Sequence, residues 1–501
     1  MEKIVAVRID GKEIKVKAGT PLSEIVSGEK PCGGHGRCAK CTVIAKGALS
    51  PLTDAERELL TDQELARGVR LSCTTTAVGP CEIVRMKREG DAEILTDATL
   101  APFTLSPAFS KYGVAIDIGT TTLAARLYDT KGNSLADASA LNPQSEYGAD
   151  VISRIEASIN GKKGLLSDTI RRAIDALVSE LGKKASIEKS EIDGAVITGN
   201  TVMLSLLCAE DVTPLSHAPF CASRLFGETV FADGLGLSSL CKDTPIYLPP
   251  CIGAFVGADT TCAILASDLT RHKGAMLVDV GTNGEMALWD GEVLTVCSTA
   301  AGPAFEGVGI SMGMRASRGA IDRVRVVDGE LAVHVLADTT PIGICGSGLV
   351  DAVASMLELE LLDESGFLED EPFFLKTPVA LSQKDIRMLQ LAKSAIAAGL
   401  VTLMKETDTA PTAVPSFFIA GGFGRYLGLE SAARIGLLPR ALIGVAQTVG
   451  NAALGGASML LLDKTLKEKA STLAHRARLI DLSTNPTFTD AYTMGMMLLP
   501  L

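Results

Sequence analysis

Val114-Ala115-Ile116-Asp117-Ile118-Gly119-Thr120-Thr121-Thr122 is an apolar run that meets an acid, then a glycine and three hydroxyls. The same grammar returns at Met276-Leu277-Val278-Asp279-Val280-Gly281-Thr282-Asn283-Gly284-Glu285, with the two aspartates 162 positions apart. Each copy predicts a strand, an acidic residue near its end and a glycine turn. Asp117 and Asp279 can hold Mg²⁺ or its waters through hard oxygens. The turns at Gly119 and Gly281 let backbone N–H groups approach a phosphate, and Thr120, Thr121, Thr122, Thr282 and Asn283 add donors. A single D-x-G-T is weak; two copies at domain-scale separation are a strong signal.

A third glycine turn follows the apolar run Phe418-Ile419-Ala420. Gly421, Gly422 and Gly424 there permit close approach of a flat ring or a ribose to the backbone. Neither a Walker A sequence nor a kinase glycine-rich loop occurs, which disfavours both of those folds. Glu285, after the second turn, either positions an attacking water or serves as a structural carboxylate. Glu306 lies in a glycine-rich stretch and is a candidate ribose contact, and Asp351 is a candidate helix cap. Strand-like segments (113–118, 194–198, 276–280, 416–420) alternate with helical ones (167–181, 382–404), which favours α/β architecture with covered sheets.

Ahead of this region stands Pro31-Cys32-Gly33-Gly34-His35-Gly36-Arg37-Cys38-Ala39-Lys40-Cys41, answered by Cys73. The pattern C-x5-C-x2-C…C is close to the plant-type ferredoxin spacing for a [2Fe–2S] cluster, with one extra residue in the first gap. Four thiolates suffice for two irons, and the glycines let backbone N–H groups face the cluster sulfurs. A zinc site is the competing reading, but zinc ribbons usually carry two C-x2-C pairs and this chain has one. Cys81 is an alternative ligand, yet its apolar run Cys81-Glu82-Ile83-Val84 favours a buried thiol. His35 is surplus to a complete Cys₄ set. Arg37 and Lys40 are either solvated or face an acidic partner.

Residues 1–95 read as short strands and turns. A hairpin runs from Ile4 through Val16, a short helix covers 21–26, and Cys41–Ala45, Val69–Cys73 and Cys81–Arg85 are strands. Thr53 and Glu56 have capping-box spacing. Residues 96–111, with Pro102 and Pro107, read as a linker. The 501 residues carry a net charge of −12, which gives nucleic-acid binding no global electrostatic support. Cysteines beyond Cys81 are scattered singly, as reduced thiols are in a cytoplasmic protein. No apolar signal segment opens the chain. The uncharged stretch 441–462 is long enough to span a bilayer, but Gln447, Thr448, Asn451 and its glycines favour a buried helix of small residues over a membrane span.

The order of the two phosphate motifs and Gly421–Gly424 resembles the actin/hsp70/sugar kinase superfamily. That resemblance implies two ribonuclease-H-like lobes clamping Mg·ATP, with Asp117–Thr122 and Asp279–Asn283 as phosphate motifs and Gly421, Gly422 and Gly424 at the adenosine. With the cysteine module in front, the chain resembles the reductive activators of corrinoid-dependent methyltransferases. Asn142-Pro143-Gln144-Ser145-Glu146-Tyr147-Gly148-Ala149-Asp150-Val151-Ile152-Ser153-Arg154, Ile344-Cys345-Gly346-Ser347-Gly348 and Leu482-Ser483-Thr484-Asn485-Pro486 carry the likeness. Ala39 departs from it, standing where a glycine is usual.

The resemblance implies an α+β ferredoxin-like (β-grasp) domain at 1–95, a linker at 96–111 and two α/β lobes at 112–270 and 271–501. A hinge helix at 441–462 would return towards the first lobe. It also implies an ATP-dependent activase that passes one electron from a [2Fe–2S] cluster on Cys32, Cys38, Cys41 and Cys73 to the cob(II)amide of a corrinoid protein. A low-potential donor would recharge the cluster. The oligomeric state stays open, a homodimer included. The competing functions are a small-molecule kinase and a 2-hydroxyacyl-CoA dehydratase-type activator; no sugar- or acid-binding motif supports the kinase.

Overall fold

The chain divides into two units, Met1–Asp91 and Ala92–Leu501. The computed structural model describes residues 4–9, 12–26, 41–60, 62–85 and 96–501. Residues 31–40, with Cys32, His35, Arg37, Cys38, Ala39 and Lys40, lie outside the described residues.

In the first unit, Ile4–Ile9 pairs antiparallel with Lys12–Lys17 and parallel with Thr76–Arg85. Thr76–Arg85 also pairs with Thr42–Leu49, which in turn pairs with Val69–Leu71. Alternate residues of these strands, Val5, Val7, Val43, Ala45, Ala77, Cys81 and Ile83, face one way. They close on Leu22 and Val26 of the short helical segment. Cys81 is therefore a core thiol, and burial pushes its pKa up.

The capping box forms: Thr53 Oγ1 accepts from Glu56 N–H at 3.3 Å, and Glu56 accepts from Thr53 N–H at 2.9 Å. Glu56 does more than cap. Fully buried, it also accepts from Arg70 at 2.8 Å, Thr75 at 2.7 Å and Leu71 N–H at 3.1 Å. These bonds tie the helix to the loop that carries Cys73. Desolvation is outweighed by these donors, and the carboxyl falls to about 2. A folded pKa below the unfolded one adds stability that is present above about pH 4.5 and lost as pH falls towards 2. Glu56→Gln is expected to cost the first unit about 3 kcal/mol at pH 7. In urea melts the gap between variant and wild type should shrink steadily below pH 4.5; a gap independent of pH would contradict the charge-based account.

The second unit holds two sheets of one design. In the first, Tyr112–Ile118 continues antiparallel into Thr122–Asp129 and Ser134–Leu141, and on its other side pairs parallel with Ile192–Gly199, itself parallel to Pro245–Leu248. In the second, Met276–Val280 continues antiparallel into Gly284–Trp289 and Leu294–Thr299, and pairs parallel with Phe417–Ala420, itself parallel to Ala446–Gly450. The faint repeat in sequence is thus a repeat of topology. It extends to Gly199 and Gly421, which end equivalent strands at positive φ. A Cβ on Gly199 would lie 2.7 Å from the Ile118 carbonyl, and one on Gly421 would lie 2.7 Å from that of Val280. Neither position tolerates a side chain.

Two helices, Ala258–Ala266 and Ala452–Leu462, pack against each other beside these sheets. A Cβ on Gly456 would collide with the Cys262 backbone, which explains the small residues there. The expectation of a helix through 441–462 needs correction. Arg440–Val445 is a 3-10 turn, Ala446–Gly450 is the sheet strand, and the helix begins only at Ala452, capped by Asn451. Gln447 and Thr448 are strand residues.

Residues 96–111 also differ from a free linker. The backbone N–H groups of Thr99, Ala101, Ser106 and Ala108 donate to the carbonyls of Val449, Ala266, Leu462 and Leu461. Phe109 is buried against Gly113 and Gly194. The prolines mark breaks between short extended pieces that follow the helix ends. The long helices form at Lys163–Ala185 and Gln383–Glu406, the latter started by a Ser382–Asp385 capping box. Gln383–Glu406 is the one described helix long and apolar enough to cross a membrane, and 78% of its apolar window is buried inside the fold.

Candidate functional site

The two phosphate-type turns meet across a cleft between the paired sheets. Thr121 Oγ1 and Thr282 Oγ1 lie 3.3 Å apart. A cavity of about 280 Å³ opens there, lined by Asp117, Gly119–Thr122, Asp279, Gly281–Asn283 and Glu285. Gly421 and Gly422 also line it. Gly424 does not: it turns back onto its own strand, where a Cβ would meet Ile419. Glu306 reaches the second turn and accepts from Thr282 Oγ1 at 2.8 Å; its other oxygen is buried without a partner. Cys345, Gly346 and Ser347 also line the cleft at the start of helix Gly346–Glu358. Asp351 sits inside that helix beside Gly428 and so is not a cap.

Four carboxylates gather on the cleft floor. The hairpin register sets Asp279 directly opposite Glu285. Asp259, two residues after Gly257, stands at the start of helix Ala258–Ala266 and accepts from Thr260 N–H at 2.7 Å. Asn451 donates to Asp117 at 3.2 Å, and Asn200 donates to Thr120 Oγ1 at 3.1 Å.

Burial and mutual repulsion hold these acids up. Asp117 rises to about 8 by burial and then by the charges of Asp259 and Asp279. Asp279 rises to about 7 by burial and then Asp259. Asp259 rises to about 6 by burial. Glu285 rises well above the carboxylate range by burial, then through Asp259 and Asp279. Crowded acids of this kind fit a divalent cation, which removes the repulsion that raises them. Among the described residues no three His, Cys, Asp or Glu side chains converge as direct ligands. Mg²⁺ needs no such convergence, since it usually keeps several waters and takes only one or two protein carboxylates. Phe305 and Phe423 stack beside the cleft, ring centroids 4.6 Å apart.

Asp259, Asn200, Asn451 and the aromatic stack escaped the sequence reading. Asp259 had a local signal: Val256-Gly257-Ala258-Asp259 is again an apolar residue, a glycine and an acid at a helix start. Asn451 follows Gly450 at a strand end, in the position Gly421 marks one strand over.

In the first unit, Cys41 Sγ and Cys73 Sγ lie 3.1 Å apart, brought together by the pairing of Thr42 with Leu71. No disulfide joins them. Two thiolates on one tetrahedral metal with bonds of about 2.3 Å sit ~3.8 Å apart, so a small adjustment lets this pair share an ion.

Two lobes of repeated topology around an acid-floored phosphate cleft define an actin/hsp70/sugar kinase-type domain. The comparisons agree. Residues 273–500 match a family model described as the C-terminal domain of RACo, the ASKHA domain, and residues 112–272 match the RACo middle region. The chain is 34% identical over 426 residues to the corrinoid activation enzyme RamQ of Eubacterium limosum, covering 77% of this chain and 70% of that one. It is 26% identical over 424 residues to the [Co(II) methylated amine-specific corrinoid protein] reductase of Methanosarcina barkeri, covering 76% of each. The solved structure of a reductive activator for corrinoid, iron–sulfur protein superposes with a TM-score of 0.71 at 27% identity, covering 99% of this chain and 98% of that one. The chain belongs to the RACo family, the reductive activators of corrinoid proteins.

Proposed function

We propose that this protein is an ATP-dependent activase that passes one electron to the inactive cob(II)amide of a corrinoid protein and so restores cob(I)amide for methyl transfer. The observation that carries this reading is the meeting of two equivalent phosphate turns, Thr121 against Thr282 at 3.3 Å, over a floor of acids. In this scheme Asp117 and Asp279 would hold Mg²⁺ or its waters from opposite lobes. The turns at Gly119–Thr122 and Gly281–Asn283 take the phosphates. Gly421 and Gly422 admit the adenosine beside Phe423. Glu285 faces Asp279 and orients the attacking water.

Cys32, Cys38, Cys41 and Cys73 would hold a [2Fe–2S] cluster, and the first unit's sheet order supports a β-grasp ferredoxin reading of residues 1–95. Bound there, the cluster supplies a one-electron donor, recharged by a low-potential reductant. Residues 112–270 and 271–501 then act as the two ATPase lobes. A corrinoid partner and a cytoplasmic setting follow from the family and the free thiols; nucleic acid does not fit a charge of −12.

The test is anaerobic absorbance spectroscopy on a corrinoid protein held as Co(II), with this chain and a low-potential donor. Co(I) should accumulate only when Mg·ATP is present. Cys73→Ala should lose both the visible iron–sulfur bands and the Co(I) yield, while Cys81→Ala keeps both. Equal Co(I) without ATP, or full cluster content in Cys73→Ala, would overturn the scheme.

A pH signature also follows. Protons and Mg²⁺ compete for the same carboxylates, so cation binding releases protons. Mg²⁺-dependent nucleotide affinity should fall from pH 8 to pH 6 as Asp117, Asp279 and Asp259 take up protons. Cation-free stability should run the opposite way. These folded pKa values lie above the unfolded 3.8, so stability is lost as pH rises through 6 to 8. Calorimetric titration at fixed ionic strength reads the first effect; a flat profile would place the cation away from these acids.

A further inference from the structure

Behind the first phosphate turn lies a buried cation to which the scheme above gives no part. Arg154, on helix Val151–Ala157, is fully buried. Its guanidinium donates to the Thr120 carbonyl at 2.6 Å and the Gly148 carbonyl at 2.9 Å, and reaches Gln144 Oε1 at 3.4 Å and Met203 Sδ at 3.2 Å. All four partners are neutral. Burial lowers its pKa to about 10, against the opposing pull of the Asp150 and Glu306 charges. A guanidinium buried among neutral acceptors is costly unless some negative charge comes to meet it.

Asn142 completes the arrangement. Its side chain donates to the Gly119 carbonyl at 2.8 Å, and its backbone N–H donates to the Thr121 carbonyl at 2.9 Å. The carbonyls of Gly119, Thr120 and Thr121 are therefore all held from the rear. In a trans peptide the C=O of one residue and the N–H of the next point in opposite directions. Holding the Gly119 and Thr120 carbonyls back turns the N–H groups of Thr120 and Thr121 forward. Both residues line the cleft, and neither N–H has an acceptor among the described residues. The second turn is held differently, its Thr282 carbonyl accepting from the Gly302 N–H at 2.9 Å.

We infer that Arg154 is a positioning residue for the nucleotide phosphates: with Asn142 it fixes the Thr120 and Thr121 amides as a forward-facing cradle, and the bound phosphate is its counter-charge. The inference rests on the ATP reading and sharpens it, because it assigns the recognition of phosphate charge to one lobe. Its effect must then grow with the number of phosphates and vanish for adenosine.

The experiment titrates the full chain with adenosine, AMP and Mg·ATP by calorimetry, for wild type, Arg154→Lys and Arg154→Met. Charge-assisted hydrogen bonds of this kind change binding by ~10- to 100-fold. Arg154→Met should weaken ATP by ~100-fold and adenosine by no more than ~2-fold. Arg154→Lys keeps the charge but loses the planar fork, and should fall between, at ~10-fold for ATP. Equal weakening of adenosine and ATP would show a structural role only, and unchanged ATP affinity in folded variants would likewise overturn the inference. Should Arg154→Met fail to fold, Arg154→Lys decides by the same ATP-to-adenosine ratio. A wild-type chain that binds no ATP would defeat the ATP reading, and this inference with it.

Discussion

Asp279→Asn is expected to lower ATP turnover by ~10²- to 10³-fold while raising the melting temperature of the cation-free protein. The two effects share one cause. Asp279 lies one residue before the end of a central strand, directly opposite Glu285, and burial with the Asp259 charge lifts it to about 7. Above that pH the folded protein confines a charge it would hold more cheaply in water. Amide replacement removes this repulsion and keeps the shape that packs against Gly421. It also removes the charge that would hold the waters of Mg²⁺. Iron–sulfur absorption should be unchanged, because the cysteines proposed to hold the cluster belong to the other unit. Steady-state phosphate release and a thermal melt of the same sample check both halves. Unchanged turnover in Asp279→Asn and Asp117→Asn alike would remove the cation from this floor.

The site was legible wherever one short stretch contained the whole device. Asp117 with Gly119–Thr122, and Asp279 with Gly281–Asn283, each combine strand, acid and turn within ten residues, and the cleft receives both. Thr53 and Glu56 announced a cap by spacing alone. What stayed hidden depends on chain segments far apart in sequence. Asp259 lies 142 positions from Asp117 and reaches the floor from the first turn of the helix Ala258–Ala266, which packs on Ala452–Leu462. Glu56 looked like a helix-capping acid, and its bond to Arg70 required the fold to exist. The stretch 441–462 misled for a different reason. An uncharged run of small residues has no clear period, so a strand followed by a helix reads as one helix. Residues 96–111 misled because many of their ties are backbone hydrogen bonds, which leave no trace in side-chain pattern, and the buried Phe109 belongs to no periodic run.

Separating the two units is expected to abolish cob(I)amide formation altogether while sparing each unit's own chemistry. Residues 1–91 and 92–501 have independent cores, so each should fold alone. The first should keep its iron–sulfur absorption and accept an electron. The second should hydrolyse ATP. Neither, nor their mixture at micromolar concentration, should accumulate Co(I). The argument is energetic. Each 59 mV of uphill potential is a factor of ten in a one-electron equilibrium, so a gap of ~300 mV leaves ~10⁻⁵ of the cobalt reduced, a deficit of ~7 kcal/mol. An isolated donor cannot cross it. ATP can offset the gap only through a state of the lobes that binds the partner with its cobalt site altered, since a ligand shifts an equilibrium only by its differential affinity. The electron must arrive while that state lasts, which requires donor and lobes in one chain at high effective concentration. The measurement is the anaerobic Co(II)-to-Co(I) absorbance change with ATP, for the intact chain, each half and the mixture. Full Co(I) yield from the first half alone would mean that the ATP cleft serves some purpose other than driving the electron.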